Sequence, residues 1–123
     1  MAGETILVVD DSPTERALIL QALQGSGFRV GQAEGGEDAI RKGQNERPNL
    51  VLLDVVMPGK NGYQLCRELK TSETTKTIKV ILLTSKNQDA DRFWGLKQGA
   101  DDYLTKPFDA SSLLSAMRRL LAA

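Results

Sequence analysis

Histidine is absent from the 123 residues, cysteine occurs once, and the 16 Lys and Arg residues are balanced by 16 Asp and Glu. Each lack removes a class of function. Without histidine the chain carries no Ser-His-Asp or Cys-His catalytic unit, no His-ligated zinc and no phosphohistidine of its own. Any such histidine must sit on a partner. The single cysteine, Cys66, permits no internal disulfide, suits a reducing compartment and reads as a core residue rather than a redox group. Zero net charge argues against direct nucleic-acid binding, which rests on a basic surplus that displaces counterions from phosphates, and nothing points to an anionic membrane. No apolar run approaches the roughly 18 residues of a membrane span, and the amino terminus lacks a basic region followed by an apolar stretch. A soluble, cytoplasmic protein is expected. The length suits one domain, 1–123, with its own core and no separate output domain.

What the chain does have is five short apolar runs, Ile6 to Val9, Phe28 to Val30, Leu50 to Val55, Val80 to Thr84 and Tyr103 to Thr105, separated by segments of helical length. The first, third and fourth are nearly continuous in Val, Ile and Leu, the pattern of parallel strands covered on both faces. Helices must supply the covers. Ser12, Pro13 and Glu15 spell a helix start, with serine as cap, proline in the first turn and glutamate closing a capping box; Leu18, Ala22 and Leu23 then share a side. Further helices are expected over Glu37 to Asn45, over Gly62 to Lys70 with Leu65, Cys66 and Leu69 buried, and over Gln88 to Gln98 with Gly99 as a left-handed cap. A last helix, capped by Asp109, carries the stripe Leu113, Leu114, Met117, Leu120 and Leu121. The order is (βα)5, an α/β fold with one doubly wound parallel sheet.

Ligands of open parallel sheets bind beyond the carboxyl ends of the strands. The residues expected there are Asp10 and Asp11 after the first strand, Asp54 after the third, Thr84 and Ser85 at the fourth, and Lys106 after the fifth. Two carboxylates about 4 Å apart repel by about 4 kcal/mol at an effective dielectric of about 20, so three of them need a cation. Oxygen-only donors at a shallow, wet site fit Mg²⁺ or Mn²⁺ better than zinc. Such an ion would screen an approaching phosphoryl group from the acids and hold its oxygens in line. Asp54 is then the natural nucleophile, Lys106 a second positive contact and Thr84 a hydroxyl donor. A lone Asp after a strand is ordinarily a cap or turn residue, but that reading does not account for three carboxylates, a hydroxyl and an ammonium gathered at the strand ends.

These residues resemble the receiver domains of two-component response regulators, and in particular the stand-alone chemotaxis receivers. The resemblance spans the chain and rests on Val9-Asp10-Asp11-Ser12, on Leu53-Asp54-Val55-Val56-Met57-Pro58-Gly59 followed by Gly62, on Leu83-Thr84-Ser85 and on Tyr103-Leu104-Thr105-Lys106-Pro107-Phe108. It implies a flavodoxin-like strand order 2-1-3-4-5. It also implies that Asp54 accepts a phosphoryl group from a phosphohistidine on a sensor histidine kinase, and that Asp10, Asp11, Asp54 and the backbone carbonyl of Val56 organise Mg²⁺. The Lys106-Pro107 peptide is expected to be cis. The implied switch is Thr84 with Tyr103, the tyrosine turning inward and altering the surface of the fourth helix, fifth strand and fifth helix.

On this reading the chain is a monomer that signals by phosphorylation-dependent binding to a downstream effector, and is no enzyme beyond slow Mg²⁺-dependent self-dephosphorylation. A phosphate-sink role in a chemotaxis- or twitching-type pathway is the alternative. The segment from Phe93 to Tyr103 is similar to receivers of pilus-driven twitching systems, which implies pilus or motility machinery on the effector side. Val56 and Lys86 occupy positions that, by resemblance, flank the path of hydrolytic water, and neither orients water well, so a long-lived phosphoryl group is expected. Ala90, Phe93 and Leu96 can form the buried stripe of the fourth helix. Trp94 falls at its flank, either in the core or, with Tyr103, in the partner surface. Two other classes compete: a Mg²⁺-dependent phosphatase with Asp54 as turnover nucleophile, and a flavin binder, which wants a Ser/Thr/Gly-rich phosphate loop where this chain places two acids.

Overall fold

Five strands alternate with five helices: β1 (Thr5–Val9), α1 (Pro13–Leu23), β2 (Arg29–Ala33), α2 (Gly36–Glu46), β3 (Leu50–Leu53), α3 (Gly62–Thr71), β4 (Lys79–Thr84), α4 (Asp89–Lys97), β5 (Asp102–Thr105) and α5 (Ala110–Ala122). This computed structural model describes residues 3–122; residues 1, 2 and 123 of the expected domain lie outside the described residues. All strand pairs are parallel, and the sheet order is β2-β1-β3-β4-β5, the flavodoxin-like order expected.

The two-residue period of the strands divides their side chains between two cores. Leu7, Val9, Val51, Leu53, Val80, Leu82 and Tyr103 meet Ala39 of α2 and Leu65, Cys66 and Leu69 of α3 on one face. Ile6, Val8, Leu50, Leu52, Ile81 and Leu83 meet Ile19 and Leu23 of α1 and Leu113, Ala116 and Met117 of α5 on the other. β1, β3 and β4 are central, which is why they read as unbroken apolar runs. β2 is an edge strand of mixed exposure; its register runs from Thr5↔Arg29 to Val9↔Ala33, past the short apolar run that marks it in the sequence. β3 stops at Leu53, two residues before the expected end, because the chain turns there and the Gly62 N–H bonds back to the Val55 carbonyl at 2.9 Å.

Two helix faces differ from expectation. In α1 the buried residues are Arg16, Ile19 and Leu23, while Leu18 is 48 % exposed. Arg16 takes the sheet-facing position because every arm of its guanidinium has a partner: the Asp10 carbonyl at 2.6 Å, Gln32 Oε1 at 3.2 Å and Glu34 Oε1 at 3.4 Å. In α4 the expected stripe Ala90, Phe93 and Leu96 is exposed, and Gly95 is the buried residue. The helix lies so near the sheet that a β-carbon on Gly95 would stand 2.8 Å from both Leu82 Cδ1 and Tyr103 Cδ2; larger side chains are turned to its flanks. Trp94, 51 % exposed, is therefore outside the core. Tyr103 is the reverse case. Its ring is 1 % exposed and its hydroxyl donates to the Lys86 carbonyl at 2.8 Å, so in this conformation it belongs to the core and not to a partner surface. Among the described residues no helix is long and apolar enough to cross a membrane.

Candidate functional site

The register levels the carboxyl ends of the central strands: Val9 pairs with Leu53 and Leu53 with Leu82, while Thr84 pairs with Thr105. Asp10, Asp54 and Lys106, each one residue past its strand, therefore emerge side by side. Asp10 is 1 % exposed. One of its carboxylate oxygens accepts the Ser12 N–H at 3.0 Å and the other the Lys106 ammonium at 2.8 Å. Its main chain is fixed as well, the N–H on the Ala33 carbonyl at 3.2 Å and the carbonyl under Arg16.

Asp54 is anchored through its N–H to the Val9 carbonyl at 3.0 Å, and its Oδ1 accepts the Val56 N–H at 3.3 Å. Burial pushes the Asp54 carboxyl above the usual aspartate range; Lys106 and the Thr84 hydroxyl pull it back, and Asp10 adds to the rise. Burial alone would lower the Lys106 ammonium, but hydrogen bonds to Asp10 and Glu15 and the charge of Asp54 hold it above its ordinary value. The Lys106 N–H bonds to the Thr84 carbonyl at 2.8 Å, and the Lys106–Pro107 peptide is cis as expected. Thr84 is fully buried, with its hydroxyl oxygen facing the Lys86 N–H at 3.4 Å.

Carboxylate oxygens of Asp10, Asp11 and Asp54 lie within 4.8 Å of one another. All three donors are hard oxygens, and Lys106 is shared among Asp10, Asp54 and Glu15, so negative charge exceeds positive. That donor set fits a divalent cation such as Mg²⁺. The acids line an open cleft of about 1020 Å³ together with Val56, Ser85, Glu15, Leu18, Ala22, Pro107 and Phe108. The structure thus brings together Asp10, Asp11, Asp54, Val56, Thr84 and Lys106. Trp94 and Tyr103 are not among the residues lining the cleft. Lys86 leans toward α4, its ammonium 4.0 Å from Asp91.

Three contributors went unread in the sequence. Arg16 looks like a solvated helix residue, yet holds the backbone of Asp10. Glu15 looks like a capping-box partner, yet its carboxylate reaches Lys106 at 3.1 Å. Tyr63, on α3, donates to the Asp91 carbonyl at 3.1 Å and ties α3 to the first turn of α4. Only the Arg16 position carried a signal, a charged residue in phase with Ile19 and Leu23.

Residues 6–118 match the family described as the response regulator receiver domain. The chain belongs to this family. It is 46 % identical over 117 residues to Protein PilH of Pseudomonas aeruginosa, covering 95 % of this chain and 97 % of that protein. Among solved structures the Vibrio cholerae chemotaxis protein CheY4 superposes with a TM-score of 0.89 at 29 % identity, covering 97 % of this receiver and 99 % of that chain. The receiver domain of the Pseudomonas aeruginosa sensor histidine kinase PA1611, described with a magnesium ion coordinated in its active site cleft, superposes with a TM-score of 0.90 at 32 % identity, covering 99 % of this receiver and all of that chain.

Proposed function

We propose that this receiver accepts a phosphoryl group on Asp54 from the phosphohistidine of a sensor histidine kinase and passes the signal on by binding a downstream protein. The reading is carried by one observation: Asp54 emerges beside Asp10, Asp11 and Lys106 at the carboxyl edge of the sheet, with an open cleft in front of it. An Asp54 carboxylate oxygen attacks phosphorus, the P–N bond to the donor imidazole breaks, and the bonding pair leaves with that nitrogen. Lys106 and the Thr84 hydroxyl face the transferred oxygens. Asp10, Asp11, Asp54 and the Val56 carbonyl would hold Mg²⁺. When bound, the ion would supply positive charge that lessens repulsion between the acids and the incoming group.

The protein is then a cytoplasmic phosphoacceptor and not a turnover enzyme. Its output lies on α4 and β5, where Phe93 (64 % exposed), Trp94 and Leu96 (40 % exposed) stand in solvent and Tyr103 packs behind them against Gly95. Likeness to a chemotaxis protein supports a motility pathway. Phosphotransfer from the autophosphorylated sensor kinases of the source cell, with acetyl phosphate as a small donor, tests this directly. Wild type is expected to carry an alkali-labile phosphoryl group that Asp54→Ala lacks. Absence of labelling from every donor, or labelling that survives Asp54→Ala, overturns the reading.

A further inference from the structure

Lys106 is the cation nearest the acids, and its three ammonium protons are unequally committed. Asp10 Oδ2 lies at 2.8 Å and Glu15 Oε1 at 3.1 Å, whereas Asp54 Oδ2 lies at 3.8 Å, beyond a hydrogen bond. Glu15 is present by a diversion. In a capping box the third-position glutamate accepts the N–H of the cap residue; here the Glu15 N–H bonds to Ser12 Oγ at 3.2 Å, but the Ser12 N–H is taken by Asp10 Oδ1 at 3.0 Å. The Glu15 carboxylate is thereby released from the helix end, and it turns into the cleft toward Lys106.

A phosphoryl group on Asp54 brings about two negative charges and three acceptor oxygens; Lys106 has one uncommitted proton to offer them, and a second contact requires it to give up a partner. Asp10 is the wrong one to lose. Its side chain is 1 % exposed and would be left as a buried, uncompensated carboxylate, whereas the Glu15 side chain is 39 % exposed and can turn to water.

We propose that Glu15 is a positioning residue for Lys106: it occupies the ammonium in the unphosphorylated protein, is displaced by the phosphoryl group, and so slows phosphorylation and loosens the hold on the transferred oxygens. This rests on Asp54 being the phosphoacceptor. With acetyl phosphate as donor, an Asp54 oxygen forms the new bond to phosphorus, the bond from phosphorus to the acyl oxygen breaks, and acetate leaves with the electron pair, so no proton is required.

The experiment measures the rate of Asp54 labelling by acetyl phosphate at fixed Mg²⁺, and beryllofluoride affinity by fluorine NMR, for wild type, Glu15→Gln and Glu15→Asp, each also in a Lys106→Met background, with thermal melts to check folding. Glu15→Gln is expected to label about two- to fivefold faster, as fits a partly exposed ion pair, and to bind beryllofluoride tighter by a similar factor. Glu15→Asp, which keeps the charge on a shorter arm, falls between wild type and Glu15→Gln, and the gain disappears in Lys106→Met. Equal or slower labelling of Glu15→Gln beside a wild type that labels on Asp54 overturns the proposal. So does a gain that persists undiminished without Lys106, which would make Glu15 a direct repulsive charge. A wild type that neither labels nor binds beryllofluoride instead removes the phosphoacceptor reading, and this inference with it.

Discussion

A β-carbon on Gly62 would stand 2.2 Å from the Asp54 carbonyl oxygen and 2.6 Å from Val55 Cα. Both are backbone atoms in the turn that presents Asp54, so neither can yield as a side-chain end could. Gly62→Ala is therefore expected to lower stability by at least about 2 kcal/mol in denaturant unfolding and to impair Asp54 labelling together with it. Cys66 gives a second residue-scale outcome. Burial pushes its thiol up from 9.0 to about 12, so the folded state keeps a proton that the unfolded chain loses. The resulting stability is complete below pH 9 and is lost toward pH 12, at up to about 1.4 kcal/mol per pH unit; Cys66→Ala should flatten the fall in alkaline denaturation midpoints. At this scale the acids and Lys106 were legible because they interrupt apolar strands at their ends. Glu15 was not, because sequence spacing cannot tell that Asp10 has already claimed the Ser12 N–H.

The elements most legible in the sequence were those whose burial leaves one solution. β1, β3 and β4 are covered on both faces, and α5 carries an apolar stripe with Asp109 accepting the Ser112 N–H at 3.3 Å as its cap. β2 was shortened by its polar edge-strand residues, and the faces of α1 and α4 were misread because periodicity assumes that apolar side chains pack inward. In α4 it is the smallest residue that packs. The same fact makes a prediction for the helix as a unit. A methyl group at Gly95 would meet the ends of the Leu82 and Tyr103 side chains, which can move, so Gly95→Ala is expected to fold, at a cost of about 1–3 kcal/mol. Tyr103 would be displaced and its bond to the Lys86 carbonyl broken. Ring chemical shifts of Tyr103 and amide exchange in the β4–α4 connection read this out; unchanged shifts and protection would show that α4 does not control the tyrosine.

Zero net charge over the whole chain conceals a local excess of acid, and that excess sets the molecule's response to cations. Burial and the neighbouring Asp10 raise the Asp54 pKa above 3.8. A raised pKa means that the folded state favours the protonated carboxyl, a contribution complete below about pH 3.8 and gone once pH passes the folded value. At pH 7 the ionised Asp54 is therefore a cost to the fold. Asp54→Asn should raise the melting temperature of the metal-free protein at pH 7, and the gain should shrink toward pH 4. A divalent cation that binds only the folded state acts on the same excess, adding about 2.7 kcal/mol at a hundredfold its dissociation constant, or roughly 4 °C per kcal/mol for a domain of this size. Because Asp54→Asn replaces one of the three anionic donors with a neutral amide oxygen, it should also reduce the rise produced by Mg²⁺. Melting curves of wild type and Asp54→Asn in EDTA and in Mg²⁺ check both halves. A wild type whose melting point does not respond to Mg²⁺, or an equal response in the two proteins, would separate the acidic cluster from cation binding.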